Sequence, residues 1–174
     1  MYSWTISKYD PKKRNEQGRF MVDEWTEMGD IGKSFDGVLL TKEEYVRIED
    51  LYLNAINLFL DELKVEELQV TDLENYMRFD EFSSEYCRCP DLYTEDLIFL
   101  FNNVQDGQWL NKTQSLNMCR LNLRGGIWCR LSHIPLLALR FGFDSYMTIS
   151  SYINCESTIV KIGEMGLFVD IKGT

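Results

Sequence analysis

TKEEYVRIEDLYLNAINLFLDEL, residues 41–63, decides how this chain is read. Tyr45, Ile48, Tyr52, Ile56, Phe59 and Leu63 recur on one helical face, opposite Glu43, Arg47, Asp50, Asn54, Asn57 and Asp61. That spacing predicts an amphipathic helix over 42–63 with a solvated, net acidic outer face. Thr41 followed three residues later by Glu44 is a capping box, in which each side chain can satisfy the other's free backbone N–H.

Reading outward, residues 2–9 alternate, with Tyr2, Trp4, Ile6 and Lys8 on one side and Ser3, Thr5 and Ser7 on the other. This is the period of a half-buried strand. Residues 10–19 form a basic loop, and Gly29, Gly32 and Gly37 punctuate a short irregular or extended stretch ending in a turn. Beyond the long helix, Val65–Thr71 reads as a strand and 72–91 as an acidic loop or short helix. Residues 94–105 carry acids in the first turn and Gly107 after the end, both helix signals. A further helix is predicted over 113–124. Gly125-Gly126 then either ends it or admits the close approach of another backbone. A hairpin over 135–151, a helix over 156–164 and a last strand, LFVDI, complete the chain. The order β–α–β–α–α–β–β–α–β implies one α+β domain over 1–174, with a mixed or antiparallel sheet packed against several helices.

Of the 174 residues, 45% are hydrophobic and 13% aromatic, enough for an independent core and too many for a disordered acidic tail. The N-terminus has no basic stretch leading into an apolar run, and no run of about 18 apolar residues occurs, so neither a signal peptide nor a membrane span is expected. Five cysteines, an odd number, fit reduced thiols in the cytoplasm. The net charge of −10 is uneven: residues 23–106 hold 22 acids and 6 bases, a balance of −16, and the remainder balances at +6. Such a surface repels nucleic acid and anionic membranes; it either favours a basic protein as partner or serves only to keep the chain soluble.

Catalytic signals are sparse. His133 is the only histidine, which removes most triads and metal clusters. It falls one turn from Cys129 if 127–133 is helical, and is otherwise a structural histidine near a bend. Cys87-Arg88-Cys89 lacks the second pair that a zinc ribbon requires. Glu24, Glu27 and Asp30, spaced by three beside Trp25, offer the acid, base and stacking ring of a glycosidase-like site, or are simply three acids in an acid-rich segment. Gly29, Gly32, Lys33 and Ser34 echo the end of a phosphate loop without its first glycine. Arg120, Arg124 and Arg130 are too sparse for a nucleic-acid patch and read as a solvated face or internal salt bridges. The chain is therefore expected to be a binder, not an enzyme, with no cofactor and no metal.

A longer pattern runs through the first third of the chain. It comprises Trp4, Ile6, Lys8–Pro11, Asp23–Thr26, Asp30–Lys33, Phe35, Gly37, Leu40, Thr41, Glu44, Tyr45, Glu49 and Tyr52. WCRL at 128–131, RFGFDSYMTI at 140–149 and GLFV at 166–169 form a weaker continuation. The pattern resembles that of immunity proteins from bacterial polymorphic toxin and contact-dependent growth inhibition systems. One departure is Gly125-Gly126, where the resemblance leads us to expect a continuous helix. The resemblance implies a cytoplasmic antitoxin that binds the C-terminal domain of a cognate toxin. Those toxins are often basic RNases or DNases, neutralised by covering the active site. The alternative is an acidic nucleic-acid mimic that inhibits a DNA-binding or restriction protein. The expected contact surface is the acidic excess: Asp23, Glu24, Glu27 and Asp30 around Trp25, and Asp72, Glu74, Asp80, Glu81, Glu85 and Asp91 around Tyr76 and Tyr86. Trp25 fits the core at least as well as the contact surface. The basic 8–19 loop and the C-terminal half are expected to lie outside the contact.

Overall fold

Alternation in the strands and a 3.6-residue period in the helices put one apolar face on each element. The computed structural model, which describes residues 1–172, joins those faces into one core; the last two residues of the expected 1–174 domain lie outside it. Nine strands occur among the described residues: β1 (Tyr2–Ser7), β2 (Ser34–Phe35), β3 (Val38–Leu39), β4 (Glu67–Glu74), β5 (Trp109–Asn111), β6 (Trp128–His133), β7 (Leu137–Phe141), β8 (Met147–Ser151) and β9 (Phe168–Lys172). Five α-helices accompany them: α1 (Lys42–Leu63), α2 (Phe79–Glu85), α3 (Glu95–Asn103), α4 (Lys112–Leu123) and α5 (Glu156–Glu164). Seven strands form a single sheet in the order β5-β4-β6-β7-β8-β1-β9, antiparallel at every pairing, and β2 and β3 form a separate ribbon. The chain is thus α+β, with an antiparallel rather than a mixed sheet.

Helix α1 spans the predicted range, and Thr41 Oγ1 accepts the Glu44 N–H at 3.2 Å. The other half of the capping box is replaced, because Glu44 turns to Arg47 at 2.8 Å. Tyr45, Tyr52, Ile56, Phe59 and Leu63 are buried, and Phe59 meets Trp4 of β1 at 5.3 Å between ring centroids. Fully burying such side chains stabilises the fold by roughly 1.5–3 kcal/mol each. On the sheet, Trp4, Ile6, Leu68, Val70, Leu131, Leu139, Met147 and Ile149 face the helices. The alternate positions, including Thr5, Arg130, Arg140 and Thr148, are half-buried or exposed, which gives the sheet one polar face.

Three expectations are corrected. The stretch after Gly125-Gly126 is not a continued helix but β6, in which Cys129 and Leu131 point inward at a period of two. Gly125, at φ +75°, closes α4, and a Cβ on Gly126 would stand 2.7 Å from Phe101 Cε2. The pair therefore both ends the helix and admits a close neighbour, which is an aromatic side chain and not backbone. Strand β4 runs to Glu74 past an irregularity at Asp72, whose φ is +53°. Strand β5, three residues long, joins the sheet unannounced by the sequence. Among the described residues no helix is long and apolar enough to cross a membrane.

The charge asymmetry is partly dissolved by folding. Lys8, Lys112, Arg120, Arg124 and Arg130 all come from outside 23–106, and each pairs with an acid inside it: Glu24, Asp61, Glu49 with Asp50, Glu49 and Asp72 respectively. Arg120 and Arg124 are thus internal salt-bridge residues rather than a solvated face.

Candidate functional site: an acidic cleft with an aromatic rim

A concavity of about 470 Å³ opens where the chain brings together three distant segments. Thr26–Gly29 forms one wall, Glu74, Tyr76, Met77 and Tyr86–Arg88 the second, and Trp128 with Phe141–Ser145 the third. The floor is the end of α4, from Asn122 to Gly126. Glu27, Glu74 and Asp144 supply carboxylates. Of the two cations in the lining, Arg124 is already held by the Glu49 carboxylate, with Nε to Oε1 at 2.7 Å and Nη2 to Oε2 at 2.8 Å. Arg88, whose Nη1 donates to the Ile31 carbonyl at 3.5 Å, is the one lining cation left against three carboxylates. The cleft is therefore net acidic.

The rim is aromatic. Tyr76 is 85% exposed, Phe143 82% and Tyr86 62%, values unusual for large apolar rings that serve only the fold. Phe143 leans on Trp128 with centroids 5.6 Å apart. Strand geometry sets these positions. Strand β4 ends at Glu74 and delivers Tyr76, the β7–β8 turn carries Phe143 and Asp144, and Trp128 opens β6. The turn itself is pinned by Tyr52, whose hydroxyl accepts the Lys8 N–H at 2.8 Å and donates to the Ser145 carbonyl at 2.6 Å. Ser145 Oγ in turn donates to the Thr26 carbonyl at 2.9 Å, which ties two walls together.

The predicted contact residues divide into those on the cleft, those exposed outside it, and those buried or paired with a cation. Glu27, Glu74, Tyr76 and Tyr86 converge on the cleft, while Asp23, Glu81 and Glu85 are exposed outside its lining. Trp25 is a core residue, 8% exposed, packed against Tyr45 at 5.6 Å and covered by the Lys8 ammonium 4.0 Å from its ring. Asp30 is buried and spent on the fold: it accepts the Thr26 N–H at 2.9 Å and the Lys33 Nζ at 2.7 Å. Burial pulls its carboxyl upward, but Lys33 and the Thr26 and Glu27 amides outweigh that and hold it below the ordinary carboxylate range. Glu24 is taken by Lys8 at 2.6 Å, Asp72 by Arg130 at 3.1 Å, Asp91 by Lys42 at 2.6 Å, and Asp80 lies 3.7 Å from Arg78. Trp128, Phe143 and Asp144, absent from the predicted set, also line the cleft, so the C-terminal half contributes to this concavity. Their one sequence signal was an exposed Phe in a Gly142–Asp144 turn.

The other candidates fold into structure. With Glu24 and Asp30 engaged, Glu27 is the only member of that acid trio on the cleft, without a second carboxylate from the trio to share acid and base roles. Gly32, at φ +90°, donates its N–H to the Leu40 carbonyl in a turn leading to the β2–β3 ribbon, so no helix follows to cradle a phosphate. Cys129 and His133 lie on a strand, not one helical turn apart, and His133 Nδ1 sits 3.0 Å from the Glu67 carbonyl. Burial pushes the Cys87 thiol in the cleft wall up from its ordinary value, which keeps it protonated. Among the described residues no group of three His, Cys, Asp or Glu is placed to hold a metal.

The pattern that carries the family resemblance is chiefly framework. Trp4, Ile6, Lys8, Trp25, Asp30, Tyr45, Glu49 and Tyr52 are all buried. They position the cleft from behind and leave its rim to other residues. Scans against protein-family models, curated proteins and solved structures each returned no match for this chain.

Proposed function

We propose that this chain is a cytoplasmic immunity protein that binds and neutralises the basic C-terminal domain of a cognate toxin, a nuclease of the RNase type first among them. The observation that carries the reading is the cleft: Glu27, Glu74 and Asp144 gathered beneath the exposed rings of Tyr76, Tyr86 and Phe143. A nuclease needs cations to hold its substrate. An acidic concavity attracts such a surface and accelerates encounter, while desolvated aromatic anchors slow release. A Lys or Arg of the toxin fits the cleft by charge, and its aliphatic stem fits the rings.

The alternative, a nucleic-acid mimic, calls for free carboxylates in a phosphate-like array. Glu24, Asp30, Asp72 and Asp91 are each engaged by a cation, which weighs against it. Co-expression with the toxin encoded beside this gene tests the proposal. Protection and a complex that persists at nanomolar concentration support it; a toxin that stays lethal and unbound rejects it.

A further inference from the structure

The polar face of the sheet holds a second concavity, of about 460 Å³, lined by Thr5, Arg14, Arg140, Tyr146, Thr148 and Asp170 among others. The register explains how it is built. Asp170 of β9 stands opposite Thr5 of β1, Thr5 opposite Thr148 of β8, and Thr148 opposite Arg140 of β7. Neighbouring strands are about 4.8 Å apart, so this rung sets two hydroxyls side by side between a carboxylate and a guanidinium. Arg14 arrives from the loop after β1, and its Nη1 meets Asp170 Oδ2 at 3.0 Å. Tyr146 engages the same guanidinium, and the fork's five N–H groups still leave donors for another partner.

Two features of the rung are unexplained by folding. Arg140 lies directly opposite Arg130 across the β6–β7 pairing, a juxtaposition of like charges that ordinarily destabilises a sheet. Arg130 is relieved by Asp72 at 3.1 Å, whereas Arg140 has no carboxylate partner among the described residues. The Thr5 hydroxyl is buried and makes no hydrogen bond among the described residues, an uncommon state for a buried polar atom. In a chain of net charge −10, a hollow with two arginines against one carboxylate, beside two threonines, is locally positive.

We propose that this hollow binds a tetrahedral oxyanion of the phosphate class. Arg140 and the remaining donors of Arg14 grip its oxygens, and the Thr148 hydroxyl, half-buried beside Thr5, donates from the floor. Guanidinium forks match such oxygens in geometry and charge. The hollow lies on the polar face of the sheet, shares none of the acidic residues of the cleft, and stands whether or not the immunity reading holds. The same chemistry arrives either as free phosphate or as the phosphate of a nucleotide.

Calorimetric titration of the whole chain at low ionic strength tests this, with inorganic phosphate, adenosine monophosphate and adenosine as probes. Saturable single-site binding of phosphate or the nucleotide is expected, weakened about tenfold or more by Arg140→Gln through loss of a charge-assisted contact. Thr148→Val keeps the side-chain shape and is expected to weaken binding about threefold or more, while the unliganded protein melts no lower. Tighter binding of the nucleotide than of phosphate, with adenosine silent, supports a nucleotide source; equal binding of the two supports the free anion. The proposal is overturned if neither probe saturates at millimolar concentration, or if both variants bind like the parent.

Discussion

Arg124 and Glu49 are locked in a bidentate ion pair between α4 and α1, with side chains 4% and 1% exposed. Arg124 also donates to the Leu92 carbonyl at 2.6 Å and lies over the Tyr93 ring at 4.9 Å. A second arginine, Arg120, reaches the same carboxylate at 3.0 Å. One buried acid thus organises two cations beneath the cleft floor. Glu49→Ala is expected to destabilise the protein by about 3–5 kcal/mol, because it strands a buried guanidinium. Chemical denaturation checks this. A loss under about 1 kcal/mol would mean the pair is wetter than its geometry indicates.

Gly126 makes a second packing prediction. A methyl there meets Phe101 at 2.7 Å and Phe82 at 3.1 Å, inside the cluster formed with Phe79 and Tyr93. Gly126→Ala is expected to cost about 1–3 kcal/mol through overpacking and to shift the adjacent cleft floor. Gly125→Asn, at a left-handed position that Asn tolerates, is expected to cost less than Gly126→Ala. The ranking is read from the two melting temperatures.

How much of this was legible in the sequence follows from range. Helix α1 was legible to the residue, because six turns of consistent amphipathicity and a Thr41 cap are local signals. Strand β6 was not: CRL at 119–121 and again at 129–131 reads alike, and only pairing to β4 and β7 makes the second copy a strand. The cleft was half legible. Two of its three acids could be named, but nothing local shows that Glu27 and Glu74 face one hollow, or that Phe143 and Asp144 complete it. Composition also overstated the acidic surface, because bases remote in sequence fold back onto its carboxylates. Trp25 reads either as an anchor beside acids or as core, and it packs inward because Lys8 and Tyr45 enclose it.

Asp30 makes the pH prediction. Its folded carboxyl is held below the ordinary range, whereas in the unfolded chain it titrates near about 3.9. A depressed folded value stabilises above the unfolded pKa, and that contribution disappears as pH falls through the folded one. Asp30→Asn is therefore expected to cost about 1 kcal/mol near neutrality, Lys33 being half exposed, and progressively less below pH about 4. Unfolding of parent and variant across that window checks the convergence. Parallel curves would assign the loss to packing instead of charge.

The cleft itself yields the sharpest separation between binding and folding. Tyr76 and Phe143 are exposed, so Tyr76→Ala and Phe143→Ala are each expected to change stability by less than about 0.5 kcal/mol. As anchors against a toxin domain, each is expected to cost about 2 kcal/mol of affinity, chiefly as faster dissociation. Glu74→Lys and Asp144→Lys are expected instead to slow association, with the deficit shrinking as salt rises, because screening removes long-range attraction. Glu95→Lys on α3 changes the net charge equally but lies outside the lining, and is expected to leave association close to the parent rate. Surface-resonance kinetics on the five variants distinguish the cases. If Glu95→Lys slows association as much as Glu74→Lys, overall charge and not the cleft steers the partner.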